Sequence, residues 1–230
     1  MMISVCIATY NGALFLQEQV ASVLSQLGAD DEIVVSDDGS SDSTLDILQS
    51  FEDKRIKIFN NTKKGFVYNF ENALKHSKGD YIFLCDQDDI WMPDKVEKCM
   101  QLLRIHMAVN HNSMIVNSKG ESMGVDFFSI NKSRGGFWRT LWRNSYSGCC
   151  MAFRRELLNY ALPFPEKIVS HDIWLGLLAE KHGNPIFYSE PLLKYRRHSF
   201  NASSTAEKSR LSFTEQLRYR FNMFIFSLTR

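Results

Sequence analysis

The chain has 230 residues, 44% of them hydrophobic and 23% charged, which suits one large α/β domain or two small ones and excludes disorder as the default. A formal net charge of +1 gives no field that would draw the chain to nucleic acid. Five cysteines, odd in number, without a C-x-x-C pair and largely in apolar stretches, suit reduced core thiols of a cytosolic protein; no cationic leader precedes an apolar run, and no run is long enough to span a bilayer.

In chain order the first half alternates strand and helix signals. Residues 3–8 (ISVCIA) form an apolar strand that ends in the polar turn Thr9-Tyr10-Asn11-Gly12. Leu14, Leu16, Val20, Val23, Leu24 and Leu27, near helical spacing, predict a helix that stops around Gly28. Residues 32–36 (EIVVS) read as a second strand, spilling into Asp37-Asp38-Gly39. A helix over 44–51 starts from Ser41 or Ser43 as cap, and a strand over 55–59, a helix over 66–76 and a strand over 81–85 follow. This succession predicts a parallel, Rossmann-like sheet with right-handed crossovers, in which three strands deliver polar clusters to one edge.

The fourth strand is the most informative. In residues 79–95 (GDYIFLCDQDDIWMPDK) a short apolar run empties into carboxylates at the carboxyl end of the sheet, where loops of an open α/β sheet make a ligand crevice. Continued extended geometry would put Asp86 and Asp88 on one side and turn Asp89 away. Two such carboxylates are a handle for Mg²⁺ or Mn²⁺; a solvated acidic loop, with Asp94 favouring a helix start after Pro93, accounts for the same residues.

The other clusters also carry two readings. Thr9, Tyr10 and Asn11 suit a stacked nucleobase or an Asx-type turn, and Asp37 and Asp38 suit a base imide, a ribose hydroxyl or a plain Asp-Gly turn. Neither G-x-G-x-x-G nor G-x-x-x-x-G-K-[ST] occurs, which leaves a nucleoside diphosphate held by carboxylates, a metal and loop groups.

Residues 4–12 (SVCIATYNG), 33–44 (IVVSDDGSSDST) and 79–91 (GDYIFLCDQDDIW) resemble, in order and spacing, the three signature segments of inverting family-2 glycosyltransferases of the GT-A fold. CDQDDIW, preceded by residues 64–74 (KGFVYNFENAL), is most similar to a bacterial branch with many rhamnosyltransferases of surface-polysaccharide assembly. The resemblance implies an α/β GT-A domain over 1–208, its mostly parallel central sheet flanked by helices, with a nucleotide-sugar half (1–106), an acceptor half (107–208) and a C-terminal amphipathic helix (209–230). It implies a donor nucleotide held by Thr9, Tyr10, Asn11, Asp37, Asp38, Asp86 and Gln87, and Mg²⁺ or Mn²⁺ held by Asp86 and Asp88 with His198.

Residues 107–116 and 122–128 read as irregular strands, 135–142 as a short aromatic helix or loop, 148–153 as a strand, 170–182 as a helix and 192–196 as a strand. The resemblance makes Asp172, where His171 departs from the usual acidic pair, the base that deprotonates the acceptor hydroxyl; a helix-dipole role is its structural alternative. Trp174 suits either an acceptor wall or the core. Arg196 and Arg197 suit the leaving diphosphate. Phe213, Leu217, Phe221, Phe224 and Leu228 share one helical face beside several arginines, which fits a membrane interface, or docking on the core or a second subunit, equally well.

The expected activity is therefore metal-dependent transfer of a sugar, first L-rhamnose from dTDP-L-rhamnose, to a glycan acceptor on a polyprenyl diphosphate carrier. It is placed in the cytoplasm or on the inner face of its membrane, in O-antigen or capsule assembly. A UDP-hexose donor is the alternative within the family. A carbohydrate- or metal-binding module and a haloacid-dehalogenase-type phosphatase are the alternatives outside it, and D-x-D at the fourth rather than the first strand counts against the phosphatase.

Overall fold

The computed structural model describes residues 1–198, 201 and 212–230, and for Phe213 the backbone alone. Residues 209–211 of the expected C-terminal helix lie outside these residues.

The elements follow as β1 (Ile3–Thr9), α1 (Ala13–Leu24), β2 (Glu32–Asp37), α2 (Thr44–Ser50), β3 (Ile56–Asn60), α3 (Phe66–His76), β4 (Tyr81–Asp86), β5 (Ile90–Trp91) and α4 (Lys95–Leu103). The second half gives β6 (Ala108–Val116), β7 (Ser122–Asp126), α5 (Phe127–Asn131), α6 (Phe137–Trp142), β8 (Met151–Arg154), α7 (Leu158–Ala161), α8 (His171–His182), β9 (Ile186–Arg196) and α9 (Phe213–Leu228). The nine strands of the described residues form one sheet in the order β3-β2-β1-β4-β8-β6-β9-β5, with β7 on β6. Strands β3, β2, β1 and β4 are parallel, whereas β8 runs antiparallel to both β4 and β6, so the second half is mixed.

Helices on both faces explain why the central strands are apolar throughout. Val5, Ile7, Ile33, Val35, Phe83 and Cys85 pack with Leu16, Val20 and Val23 of α1, while Cys6, Val34, Ile82 and Leu84 pack with Phe70 and Leu74 of α3 and Trp174 of α8. The alternation has period two, as pleated strands require. All five cysteines are free and buried, and burial pushes the thiols of Cys6 and Cys99 up to about 12.

The second half departs from expectation at three places. Phe127 and Phe128 begin a helix instead of ending a strand, because Asp126 caps it, accepting from Ser129 N at 2.9 Å and from Ser129 Oγ at 2.6 Å. Residues Gly148–Cys150 form a 3-10 turn, and extended structure starts only at Met151. Strand β9 begins at Ile186, ahead of the expected 192, and carries Pro191 at a register shift against β6. A proline without N–H is tolerated in a bulge, and the Asn112 side chain meets the Ser189 carbonyl there at 3.1 Å.

Candidate active site

Parallel pairing brings three strand ends to one edge. Thr9 lies opposite Asp37, and Ala8 opposite Asp86. Thr9 is buried, its Oγ1 donating to Asp37 Oδ1 at 3.0 Å, and Asp37 also accepts from the amides of Gly39 (3.0 Å) and Ser40 (2.8 Å). Asp37 therefore shapes the β2 exit turn. Asp38 accepts from Asn61 Nδ2 at 2.8 Å and from Gly65 N at 2.9 Å, which fixes its carboxylate at the start of α3 and leaves lone pairs for a further donor.

Asn11 sits in the left-handed region (φ 47°), and its Oδ1 accepts from Ser41 N at 2.8 Å, bracing the first two loops together. The Tyr10 ring is exposed at the edge, while its backbone is clamped by Gln87, whose Oε1 accepts from Tyr10 N at 2.9 Å and whose Nε2 donates to Tyr10 O at 3.1 Å. This clamp explains Gly12: a Cβ there would lie 2.3 Å from Gln87 Oε1. A cavity of about 450 Å³ opens beside the clamp, lined by Tyr10, Phe15, Gln87, Asp88 and His198 among others.

The carboxylates following β4 depart from the expected alternation. The chain turns directly after Asp86, so Asp89 is carried inward and is fully buried; one oxygen each of Asp86 and Asp89 and the Cys149 sulfur lie within 4.8 Å of one another. Asp89 Oδ1 accepts from Arg196 N at 3.0 Å, whereas Oδ2 has no hydrogen-bond partner. Burial, followed by the charges of Asp88 and Asp172, pushes Asp86 up to about 7. Burial also raises Asp88, opposed by the hydrogen bond to His198.

Lys95 was not legible as part of this site. It is fully buried, its Nζ donating to Cys149 O at 2.9 Å and standing 4.2 Å above the Trp91 ring, and its charge acts against the rise at Asp86. A lysine two residues after Pro93 reads as a surface residue, so sequence gave no signal.

The end of β9 closes the other side. His198 Nε2 lies 2.8 Å from Asp88 Oδ2, and Asn201 Nδ2, absent from the sequence reading, reaches the same oxygen at 3.2 Å. Arg196 is buried rather than displayed: it meets Glu18 Oε2 at 2.5 Å, Ser118 O at 2.8 Å and Asp88 O at 2.9 Å. Arg197 follows it, its amide donating to Val116 O at 2.8 Å.

Asp172 lies in the first turn of α8, where Asn144 Nδ2 donates to its Oδ2 at 3.0 Å and the Ser170 hydroxyl donates to its Oδ1. Trp174 belongs to the core, its Nε1 donating to Ala161 O at 3.0 Å. His171 stacks on Phe70 with ring centroids 3.9 Å apart, and neither ring nitrogen has a hydrogen-bond partner. Burial pulls it down from 6.5 to about 4. The unfolded chain then binds a proton that the native chain refuses, so acid weakens the fold between those two values. Relative to a His171→Phe variant, urea unfolding of the natural chain is expected to show about 3 kcal/mol of extra destabilisation on going from pH 7 to pH 4. A difference that stays flat with pH would contradict the buried neutral imidazole.

Known proteins resemble this chain in sequence and in fold. Residues 4–161 match the model of Glycosyl transferase family 2. The chain is 29% identical to the Escherichia coli UDP-Glc:alpha-D-GlcNAc-diphosphoundecaprenol beta-1,3-glucosyltransferase WfgD, over 90% of this chain and 81% of the relative. It is 28% identical to the Shigella flexneri dTDP-rhamnosyl transferase RfbG, over 93% of this chain and 80% of the relative. Among solved structures, S. aureus TarS 1–349 in complex with UDP-GlcNAc superposes with a TM-score of 0.75 at 20% identity, covering 98% of this chain and 67% of that one. Glucosyl-3-phosphoglycerate synthase of Mycobacterium tuberculosis, solved with Mn²⁺ and UDP, gives 0.60 at 17% identity, covering 99% of this chain and 79% of that one. These structural likenesses show the GT-A fold.

Proposed function

Matched by the family model over more than half its length, the chain belongs to Glycosyl transferase family 2, and from that premise we propose that it moves a sugar, with inversion, from a nucleoside diphosphate to a glycan hydroxyl in bacterial surface-polysaccharide synthesis. The observation that carries this reading is the meeting of Asp88, two residues beyond Asp86 in the nucleotide half, with His198 of the acceptor half at 2.8 Å, beside helix α8, which carries Asp172.

In this reading the edge of β1 and β2 takes the base: Tyr10 offers its exposed ring, Asp38 accepts from the pyrimidine imide, and Thr9, Asn11, Asp37 and Gln87 keep the loops in place. Asp86 and Asp88, with His198 on Asp88 Oδ2, offer carboxylate oxygens and one imidazole, donors that suit Mg²⁺ or Mn²⁺, and the crowding that raises Asp86 is what a cation would relieve. Such an ion, when bound, offsets charge on the departing diphosphate. Arg197 is proposed to face that diphosphate, while Arg196, engaged by Glu18 and backbone carbonyls, positions Asp88.

Asp172 takes the proton from the acceptor hydroxyl. The freed oxygen bonds to the anomeric carbon from the face opposite the diphosphate as the bond to the leaving oxygen breaks, so the configuration inverts. Asn144 and Ser170 hold the carboxylate for that task.

The donor we propose is dTDP-L-rhamnose, as the name of RfbG suggests; UDP-glucose is the second reading, favoured by the name of WfgD, whose acceptor is a lipid-linked diphosphoundecaprenol glycan. Thymine and uracil present the same imide, so Asp38 would serve either. We propose the cytoplasmic face of the membrane as the place where the nucleotide sugar meets a lipid-linked acceptor. Release of nucleoside diphosphate from dTDP-rhamnose, UDP-glucose and UDP-GlcNAc, measured with a polyprenyl-diphosphate-linked GlcNAc acceptor and Mn²⁺, tests the reading. Turnover with dTDP-rhamnose alone is the expected result; turnover with UDP-glucose alone replaces the sugar, and release from no donor contradicts the acceptor.

A further inference from the structure

The helices α6 and α9 pack side by side and share an outer face that the core does not use. On its inner side α9 turns Tyr219, Met223 and Phe226 to the core. On the outer side Leu217, Phe221, Ile225 and Leu228 recur at intervals of four, four and three, all exposed, Phe221 by 62%. Beside them α6 exposes Trp138 by 69% and Trp142 by 61%. An amphipathic helix normally buries its apolar residues against the core, and a contiguous exposed patch of aliphatic and aromatic side chains marks a surface that meets more than water.

The charges around this face are predominantly cationic. Residues 127–143 contain Lys132, Arg134, Arg139 and Arg143 with no acidic residue, and residues 212–230 contain Arg218, Arg220 and Arg230 against Glu215 alone. They are gathered in space as well: partial burial and then the charges of Arg134 and Arg143 lower the guanidinium of Arg139, and Arg220 lies 4.9 Å over the Trp142 ring.

We propose that the outer face of α6 and α9 is a peripheral docking surface for an anionic lipid bilayer, with the tryptophans at headgroup level and the arginines on lipid phosphates. Indole rings prefer that boundary and cationic residues the anionic surface beside it. A second copy of this chain is the poorer occupant, because a two-fold interface would set the same cations against one another. No helix among the described residues is long and apolar enough to cross a membrane, so the contact is interfacial. The surface also has a direct line to the site: two residues beyond Trp142, Asn144 holds Asp172 at 3.0 Å. This inference goes beyond the sugar-transfer reading and stands without it.

The test uses the full chain and vesicles of brominated phosphatidylcholine with or without brominated phosphatidylglycerol. Trp91 and Trp174 are buried, so quenching of tryptophan emission reports Trp138 and Trp142. Quenching and flotation are expected with the anionic vesicles, weakening steeply with salt. A Trp138→Ser/Trp142→Ser variant should lose the quenching, and Arg134→Gln/Arg143→Gln should weaken binding by about twenty-fivefold, on the order of fivefold per cation. Nucleotide-induced thermal stabilisation of the same variants should stay at the parent value, which separates a failure here from a failure of the transfer reading. Absence of quenching and flotation would overturn the proposal, as would a dimer at micromolar concentration that hides the tryptophans from a soluble quencher.

Discussion

An Asp172→Asn protein is expected to bind its donor normally and to transfer almost nothing: kcat should fall by about 10²–10⁴, the usual worth of a positioned general base. The substitution keeps the shape of the side chain and an oxygen for Asn144, so the helix start is conserved. What it removes is the proton acceptor. If Asp172 served only the dipole of α8, its loss would cost about 0.3–1 kcal/mol of stability and leave turnover alone. Steady-state kinetics separate the two, since the catalytic role lowers kcat at nearly constant donor KM while the dipole role lowers the melting temperature by only a few degrees.

The second large effect is expected from Asp88→Ala. His198 Nε2 and Asn201 Nδ2 both converge on Asp88 Oδ2, so this one carboxylate ties the end of β9 to the turn after β4. Its removal should abolish the dependence of nucleotide affinity on Mn²⁺ and lower kcat/KM by about 10²–10³, several kcal/mol of charge stabilisation. The metal-free fold should tolerate the change, because burial already raises Asp88, and burial with the charge of Asp88 raises Asp86. The same crowding fixes the sign of the pH effect in the parent protein. With Asp86 pushed up to about 7, a cation must displace a proton below that pH, so Mn²⁺ affinity measured by titration calorimetry should fall as the solution is acidified from pH 8 to pH 6. Affinity that rises on acidification would contradict the assignment.

The parallel half was legible because its physics is local. Apolar runs such as ISVCIA, turn residues at fixed places and helical spacing in residues 66–76 each constrain the backbone within a few residues, and together they determine where Thr9, Asp37 and Asp86 meet. The remainder depends on contacts between distant segments. Arg196 looked like a displayed cation until its partner Glu18, 178 residues away, was placed beside it. Asp89 was expected to point away from Asp86 and Asp88 on the assumption that extended geometry continues, whereas a turn after Asp86 buries it beside Asp86. Lys95 is buried against Trp91 and Cys149 O, and nothing in its neighbours along the chain announces that environment. The apolar face expected on the last helix is real but divided: Leu217, Phe221 and Leu228 face outward, and the contact with the core is made by residues of the complementary stripe.

The measurement that tests the account most directly is thermal stabilisation of the purified protein by dTDP, UDP, GDP and CDP, each with and without Mn²⁺, because a ligand that binds only the native state raises its stability with concentration. The account predicts a shift with a pyrimidine nucleotide, dTDP first, that needs Mn²⁺ and disappears in Asp88→Ala. Equal shifts with and without Mn²⁺, or no shift with any of the four, would contradict it.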